Sequence, residues 1–195
     1  TKLSMLGFGT MRLPVLENGQ IDTAQTQEMV DYAMAHGVNY YDTAPYYCHH
    51  NSEIAVGKAV KGFRDKVKLT SKFECNDAHK TEDYRASLER SLKKMDTDYI
   101  NFYHFWGLSR QKFDEKVIPL GLLDEARKAK EEGLIRHISF SFHDDPEAIR
   151  YIIDTAEAQG NIQVPQADVA VHAQHPQAGQ GQCRAHAGGK GGFSG

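Results

Sequence analysis

Short apolar runs and segments with helical spacing take turns along the first 160 residues. The apolar runs lie at 6–13, 38–42, 67–72, 99–106 and 134–142, and each is short enough to be a strand. Residues 23–36, 52–60, 81–95, 120–132 and 146–159 repeat their apolar positions with helical period. The first of these places Met29, Val30, Ala33 and Met34 on one face and stops at Gly37. Ser52 opens the second as an N-cap serine. Thr81 opens the third, which carries Leu88 and Leu92 at i, i+4. Gly133 closes the fourth, and Pro146 stands near the start of the fifth.

Strand and helix thus alternate five times. Consecutive parallel strands need crossover helices, and those crossovers are right-handed. The fold class is therefore α/β, either an open doubly wound sheet or a closed barrel, and the pattern fits both. From about Asn161 the helical period fades. Residues 174–182 and 188–195 are low-complexity and almost free of large apolar side chains. Such a stretch buries too little surface to offset its ordering entropy. The expected organisation is one α/β unit over 1–160 and a low-complexity tail, disordered or non-native, over 161–195.

Composition narrows the partners. The 195 residues carry a net charge of −3 with acid and base interspersed, so no basic stripe points to nucleic acid. No apolar stretch is long enough to span a membrane. Cys48, Cys75 and Cys183 are far apart and form no disulfide framework, which suits a reducing, cytoplasmic setting. The chain starts at Thr1 without methionine or a charged-then-apolar leader, so residues upstream are expected to be missing.

The run Tyr40-Tyr41-Asp42-Thr43-Ala44-Pro45-Tyr46-Tyr47 carries the candidate chemistry. It sets a carboxylate at the end of a buried strand and a phenol on the loop beyond, the rim where βα-repeat enzymes do their work. A carboxylate there is costly unless paired. Lys72, at the end of the next strand, is the partner within reach, because neighbouring strands lie about 5 Å apart. An ammonium held near Tyr47 favours the phenolate and lowers a phenol pKa that starts near about 10. Tyr46 is the competing phenol. Each residue also has a plainer reading. Asp42 and Lys72 form a structural ion pair, Tyr47 and Trp106 pack near the mouth, His104 is an interior histidine, and Ser141 is a rim serine. Cys48, His49 and His50 are consecutive and cannot easily face one metal ion, and nothing organises His172, His175, Cys183 and His186 in the tail.

Several motifs, in order, resemble the aldo-keto reductase family. They are Leu6-Gly7-Phe8-Gly9-Thr10, Asp42-Thr43-Ala44 with Tyr47, Ser52-Glu53 with Val56-Gly57-Lys58-Ala59, and Thr70-Ser71-Lys72. Asp98-Tyr99-Ile100 and Gly133-Leu134-Ile135-Arg136-His137-Ile138 complete the set. The resemblance covers roughly the first 160 residues. It implies a (β/α)₈ TIM barrel, NADP or NAD as cofactor, and reduction of a small-molecule aldehyde or ketone. It also implies Tyr47 as general acid, Lys72 tuning it, Asp42 anchoring Lys72, and Thr10, Met11, Asp42 and Ser141 near the nicotinamide end of the cofactor. The family's asparagine after that serine is replaced by Phe142. Its usual catalytic histidine position holds Trp106, and His104 stands two residues earlier. That is about 6.6 Å deeper along the strand, so His104 reaches the site only if a bulge re-aims it.

A barrel of this type takes about 250 residues, and only five units and the start of a sixth near Ile162 are legible. The expectation is an incomplete barrel, from a truncated or frame-shifted reading of a longer gene, that binds NADPH poorly or aggregates. A non-catalytic binding or regulatory remnant is the competing function, and a metal-dependent barrel hydrolase is a third. Substrate, the choice between NADPH and NADH, and oligomeric state are not written in the pattern.

Overall fold

The computed structural model describes residues 2–158. Five parallel strands form one sheet: β1 (Gly7–Gly9), β2 (Tyr40–Asp42), β3 (Lys68–Phe73), β4 (Ile100–Leu108) and β5 (Ile135–Phe142). Their order in space is β1-β2-β3-β4-β5, the order of the chain. The helices are α1 (Thr23–Ala35), α2 (Ser52–Val60), α3 (Glu82–Met95), α4 (Arg110–Lys112), α5 (Leu122–Glu131) and α6 (Pro146–Ala158). A right-handed crossover that always steps to the next strand leaves every helix on the same face. The strand order never reverses, as a doubly wound sheet requires. The arrangement is a run of barrel wall, with helices outside and a concave face inside.

Side-chain alternation sorts the two faces. Tyr41, Leu69, Phe73, Tyr103 and Phe105 point outward into the helices and form the core with Val56, Val60, Tyr84 and Leu88. Tyr84 is its hub, with ring centroids 5.1 Å from Phe73 and 5.4 Å from both Tyr103 and Phe105. Inward-facing positions carry Asp42, Thr70, Lys72 and His104. Gly57 lets α2 touch α3, since a Cβ there would overlap the Met95 carbonyl. Gly37, at φ +82, turns the chain out of α1.

Several boundaries differ from the sequence expectation. The first strand pairs only over Gly7–Gly9, because the chain turns away after Thr10. On α1, Thr26, Val30 and Ala33 are buried while Met29 is exposed. Ser52 is not a cap: Asn51 holds the cap position, and the Ser52 hydroxyl reaches across to the strand ends. Thr81 precedes α3, but its hydroxyl donates to the Leu120 carbonyl, 2.6 Å away, rather than to its own helix. Asp145 caps α6 by accepting from the Ala148 amide. After β4 the short α4 runs into a π-helical turn at Phe113–Val117, which buries Phe113 and Val117. The residues after 158, including the expected tail and the sixth strand near Ile162, lie outside the described part.

Candidate active site

The C-terminal ends of β1, β2 and β3 converge through backbone pairing. Gly9 is in register with Asp42, and Asp42 with Thr70. Lys72, one pleat further along β3, therefore reaches back over the end of β2. Its Nζ lies 2.7 Å from both Asp42 Oδ1 and Oδ2, and donates to the Thr43 carbonyl at 2.8 Å. Thr70 Oγ1 donates to Asp42 Oδ1 at 2.8 Å. Lys72 is 2% exposed, so little water competes for its ammonium.

Burial alone raises the Asp42 pKa. The charge and hydrogen bonds of Lys72, the nearby His104 and the Thr70 hydroxyl outweigh it, and the carboxyl sits below its ordinary value. Lys72 moves down as well, because desolvation of the ammonium exceeds the help it gets from Asp42 and Glu53.

Tyr47 comes from the loop between β2 and α2 and is buried. The Lys72 ammonium lies over its ring, 4.8 Å from the centroid. Trp106 meets the Tyr47 ring edge-on at 5.8 Å and lies 5.8 Å from Tyr46. Tyr46 is turned away and 44% exposed. Its hydroxyl donates to Asp77, and that bond pushes its pKa up to about 12. Of the two adjacent phenols, the one beside the ammonium is Tyr47.

His104 pairs in register with Lys72, and its Nε2 lies 3.3 Å from the Tyr40 hydroxyl. The β4–β5 register shifts between Phe105 and Leu108, with Gly107 at φ +58. That irregularity follows His104, so it does not lift the imidazole toward the mouth. Ser141 is buried on β5 and accepts from the Gly107 amide at 2.7 Å, bracing the same irregularity. Thr10 donates its hydroxyl to the Asp42 carbonyl at 2.8 Å. Met11 is 54% exposed, and its carbonyl accepts from the Cys48 thiol. The structure thus gathers Thr10, Asp42, Lys72, Tyr47 and His104, with Ser141 two strands over and the Met11 side chain facing solvent.

Two contributors were not legible in the chain: the Thr43 main-chain oxygen and the Ser52 hydroxyl. A carbonyl has no sequence signal. Ser52 followed by Glu53 gives one, but capping explains it equally well. Among the described residues no group of three His, Cys, Asp or Glu is arranged to hold a metal ion. No helix among them is long and apolar enough to cross a membrane.

A model of the Aldo/keto reductase family matches residues 5–176. The chain belongs to the aldo/keto reductase family. It is 29% identical over 158 residues to "Probable aldo-keto reductase 1" of Glycine max, covering 76% of this chain and 44% of that protein. Among solved structures it is similar to the holo form of an aldo-keto reductase from Bacillus halodurans. There the TM-score is 0.63 and the identity 27%, with 78% of this chain and 50% of that one covered. It also resembles an aldo-keto reductase from Klebsiella pneumoniae in complex with NADPH. That match has a TM-score of 0.64 and 25% identity, covering 80% of this chain and 51% of the other. The chain spans about half the length of these relatives. Their barrel is the fold of which the five-stranded wall is a part.

Proposed function

We propose that the chain carries the proton-transfer end of an NAD(P)H-dependent reductase acting on aldehyde or ketone carbonyls. The observation that carries this reading is one ammonium shared between Asp42, at 2.7 Å, and the face of Tyr47, at 4.8 Å. Tyr47 donates the proton to the carbonyl oxygen as negative charge develops there. The Lys72 charge favours the phenolate left behind, and Asp42 fixes the ammonium. His104 sits one layer deeper, buried beneath the pair with its Nε2 3.3 Å from the Tyr40 hydroxyl.

The nicotinamide cofactor bound by similar proteins supplies a hydride to the carbonyl carbon when present. The residues at its expected place fit that group. The Ser141 hydroxyl accepts from the Gly107 amide and so keeps its own proton to donate to a carboxamide oxygen. Thr10 and Asp42 form a polar corner at the ends of β1 and β2. The substrate is a small carbonyl compound, and the Trp106 ring, edge-on to Tyr47, gives it an aromatic neighbour.

The test is NADPH oxidation by the purified chain with 4-nitrobenzaldehyde, followed at 340 nm. We expect Tyr47→Phe to reduce turnover by about 10²- to 10⁴-fold, the usual yield of a positioned acid, while Tyr46→Phe changes it less than about threefold. Equal rates for wild type and Tyr47→Phe remove Tyr47 from its role. No turnover by any of them favours a second reading, a non-catalytic relative. Trp106 at the family's histidine position supports that reading.

A further inference from the structure

We propose that Ser52 is a positioning residue for the Lys72 ammonium, acting through the carbonyl of Thr43. This rests on the reading of Lys72 as the group that tunes Tyr47. Ser52 Oγ lies 2.7 Å from Thr10 Oγ1 and 2.8 Å from Thr43 Oγ1, and donates to the Thr10 carbonyl at 3.0 Å. Thr10 Oγ1 in turn donates to the Asp42 carbonyl. Each hydroxyl supplies one proton, so three protons make three of these four contacts. With Ser52 donating to the Thr10 carbonyl and Thr10 to the Asp42 carbonyl, the Thr43 proton goes to Ser52 Oγ, and the Ser52–Thr10 hydroxyl contact has no proton of its own. The bond to Ser52 fixes Thr43, whose carbonyl takes one Lys72 N–H at 2.8 Å.

Thr10, Thr43 and Ser52 are each 0% exposed. A lost contact there is not replaced by bulk water, so the deletion is felt at its neighbours. Glu53 makes the same kind of clamp one residue on. Its Oε1 accepts from Ser71 Oγ at 2.6 Å, and Ser71 is the residue before Lys72 on the outer face of β3. Lys94 lies 3.4 Å from the other oxygen, so the buried carboxylate is paired. The first turn of α2 therefore grips the ends of β1, β2 and β3 from behind, while Asp42 and Lys72 meet in front. A helix start that only tied helix to sheet would need one such bond. Here the bonds converge on the residues beside the ammonium.

The experiment labels the full chain with lysine carrying ¹³C at Cε and follows the Lys72 resonance with pH, assigned by Lys72→Arg. Wild type is compared with Ser52→Ala, Ser52→Thr and Thr43→Val. The expected result is a downward move of the Lys72 titration in Ser52→Ala and in Thr43→Val. The ammonium there loses a well-placed acceptor. The other lysines stay put, and Ser52→Thr returns Lys72 toward wild type. With NADPH and 4-nitrobenzaldehyde, Ser52→Ala lowers kcat by about 10- to 100-fold while KM stays within about twofold, the mark of lost alignment. If the Lys72 resonance does not move in either variant, Ser52 is only a fastening and the proposal is wrong. Unfolding of both Ser52→Ala and Thr43→Val has the same meaning, since it shows a fastening and not a positioning role. If Lys72 moves as expected but wild type shows no turnover, Ser52 keeps its role and the reductase reading fails instead.

Discussion

Each end of the strands holds a cation, buried at one and half-buried at the other. At the C-terminal mouth, Lys72 is held by a carboxylate, one carbonyl and the face of a phenol. At the opposite end, the acceptors that hold Arg64 among the described residues are neutral. Its guanidinium donates to the Tyr99 and Val67 carbonyls, Asn101 Oδ1 and Thr97 Oγ1. Asn101 Oδ1 also accepts the Leu69 amide, and Arg64 and Arg136 both lie over the Tyr99 ring, at 4.1 and 4.4 Å from its centroid. A guanidinium stays charged at any ordinary pH and its planar fork suits several fixed acceptors. An ammonium is a point charge whose pKa moves with burial. The floor therefore uses a cation that cannot titrate, which suits a strut. The mouth uses one that can, in contact with a phenol, which suits proton transfer.

The sharpest way to break this contrast is to unpair each cation. Asp42→Asn leaves the Lys72 ammonium buried without its contact carboxylate. We expect a stability loss of about 3–5 kcal/mol in urea unfolding. Adding Lys72→Met to it should recover most of that loss, because the stranded charge is gone. A double variant as unstable as the single one would mean that packing, and not charge, dominates the mouth. At the floor, Arg64→Ala should cost about 2–3 kcal/mol through its hydrogen bonds to a charged group. It should leave any NADPH-dependent turnover within about twofold. Turnover that tracks the Arg64→Ala stability loss would erase the distinction between the ends.

The pH dependence of stability sharpens the comparison further. Asp42 has a folded pKa below its unfolded value of about 3.9. Its contribution is complete above that unfolded value and is lost as pH falls through the folded one. The difference in unfolding free energy between wild type and Asp42→Asn should therefore be flat from neutral pH down to about 5 and shrink only below about 4. Arg64→Ala should run parallel to wild type over the same range. A gap between wild type and Asp42→Asn that closes near pH 6 would point to a different titrating group.

The smallest expected effect lies in the turn that carries Tyr47 to α2. Cys48, His49 and His50 all have φ between +48 and +68, a left-handed run built from residues that disfavour it. His49 is exposed, and its main chain alone is used, accepting from Asn51 Nδ2. His49→Gly should raise stability by about 0.5–1 kcal/mol, the relief of strain less the greater freedom of the unfolded glycine. A loss of stability would show that the histidine side chain contributes to the turn.

The sequence reached some of these features and not others for definite reasons. Asp42 and Lys72 were legible because each ends an apolar run, and a strand end fixes which rim a side chain occupies. The helix spans of α2 and α6 were legible because 3.6-residue periodicity is local. Ser52 was misassigned because a serine before a helix and a serine gripping two threonines look alike in one dimension. Between the neighbours Tyr46 and Tyr47 the resemblance favoured Tyr47, and the structure sets that ring beside the Lys72 ammonium while Tyr46 bonds Asp77. No pattern announced the π-helical turn at Phe113–Val117, since its two buried side chains are too few to set a period.

By itself the chain determined its alternation of strands and helices and the acidic, basic and phenolic residues at one rim. These follow from hydrophobic period and from where each strand stops, and both are properties of neighbours along the backbone. Tertiary structure decided that the strands run in unbroken order, that Lys72 bonds Thr43 as well as Asp42, and that His104 turns toward Tyr40 while Trp106 stands against Tyr47. Those outcomes depend on register between strands and on which groups compete for the same buried donors. Residues 28 to 64 positions apart settle that competition, and no local pattern contains it.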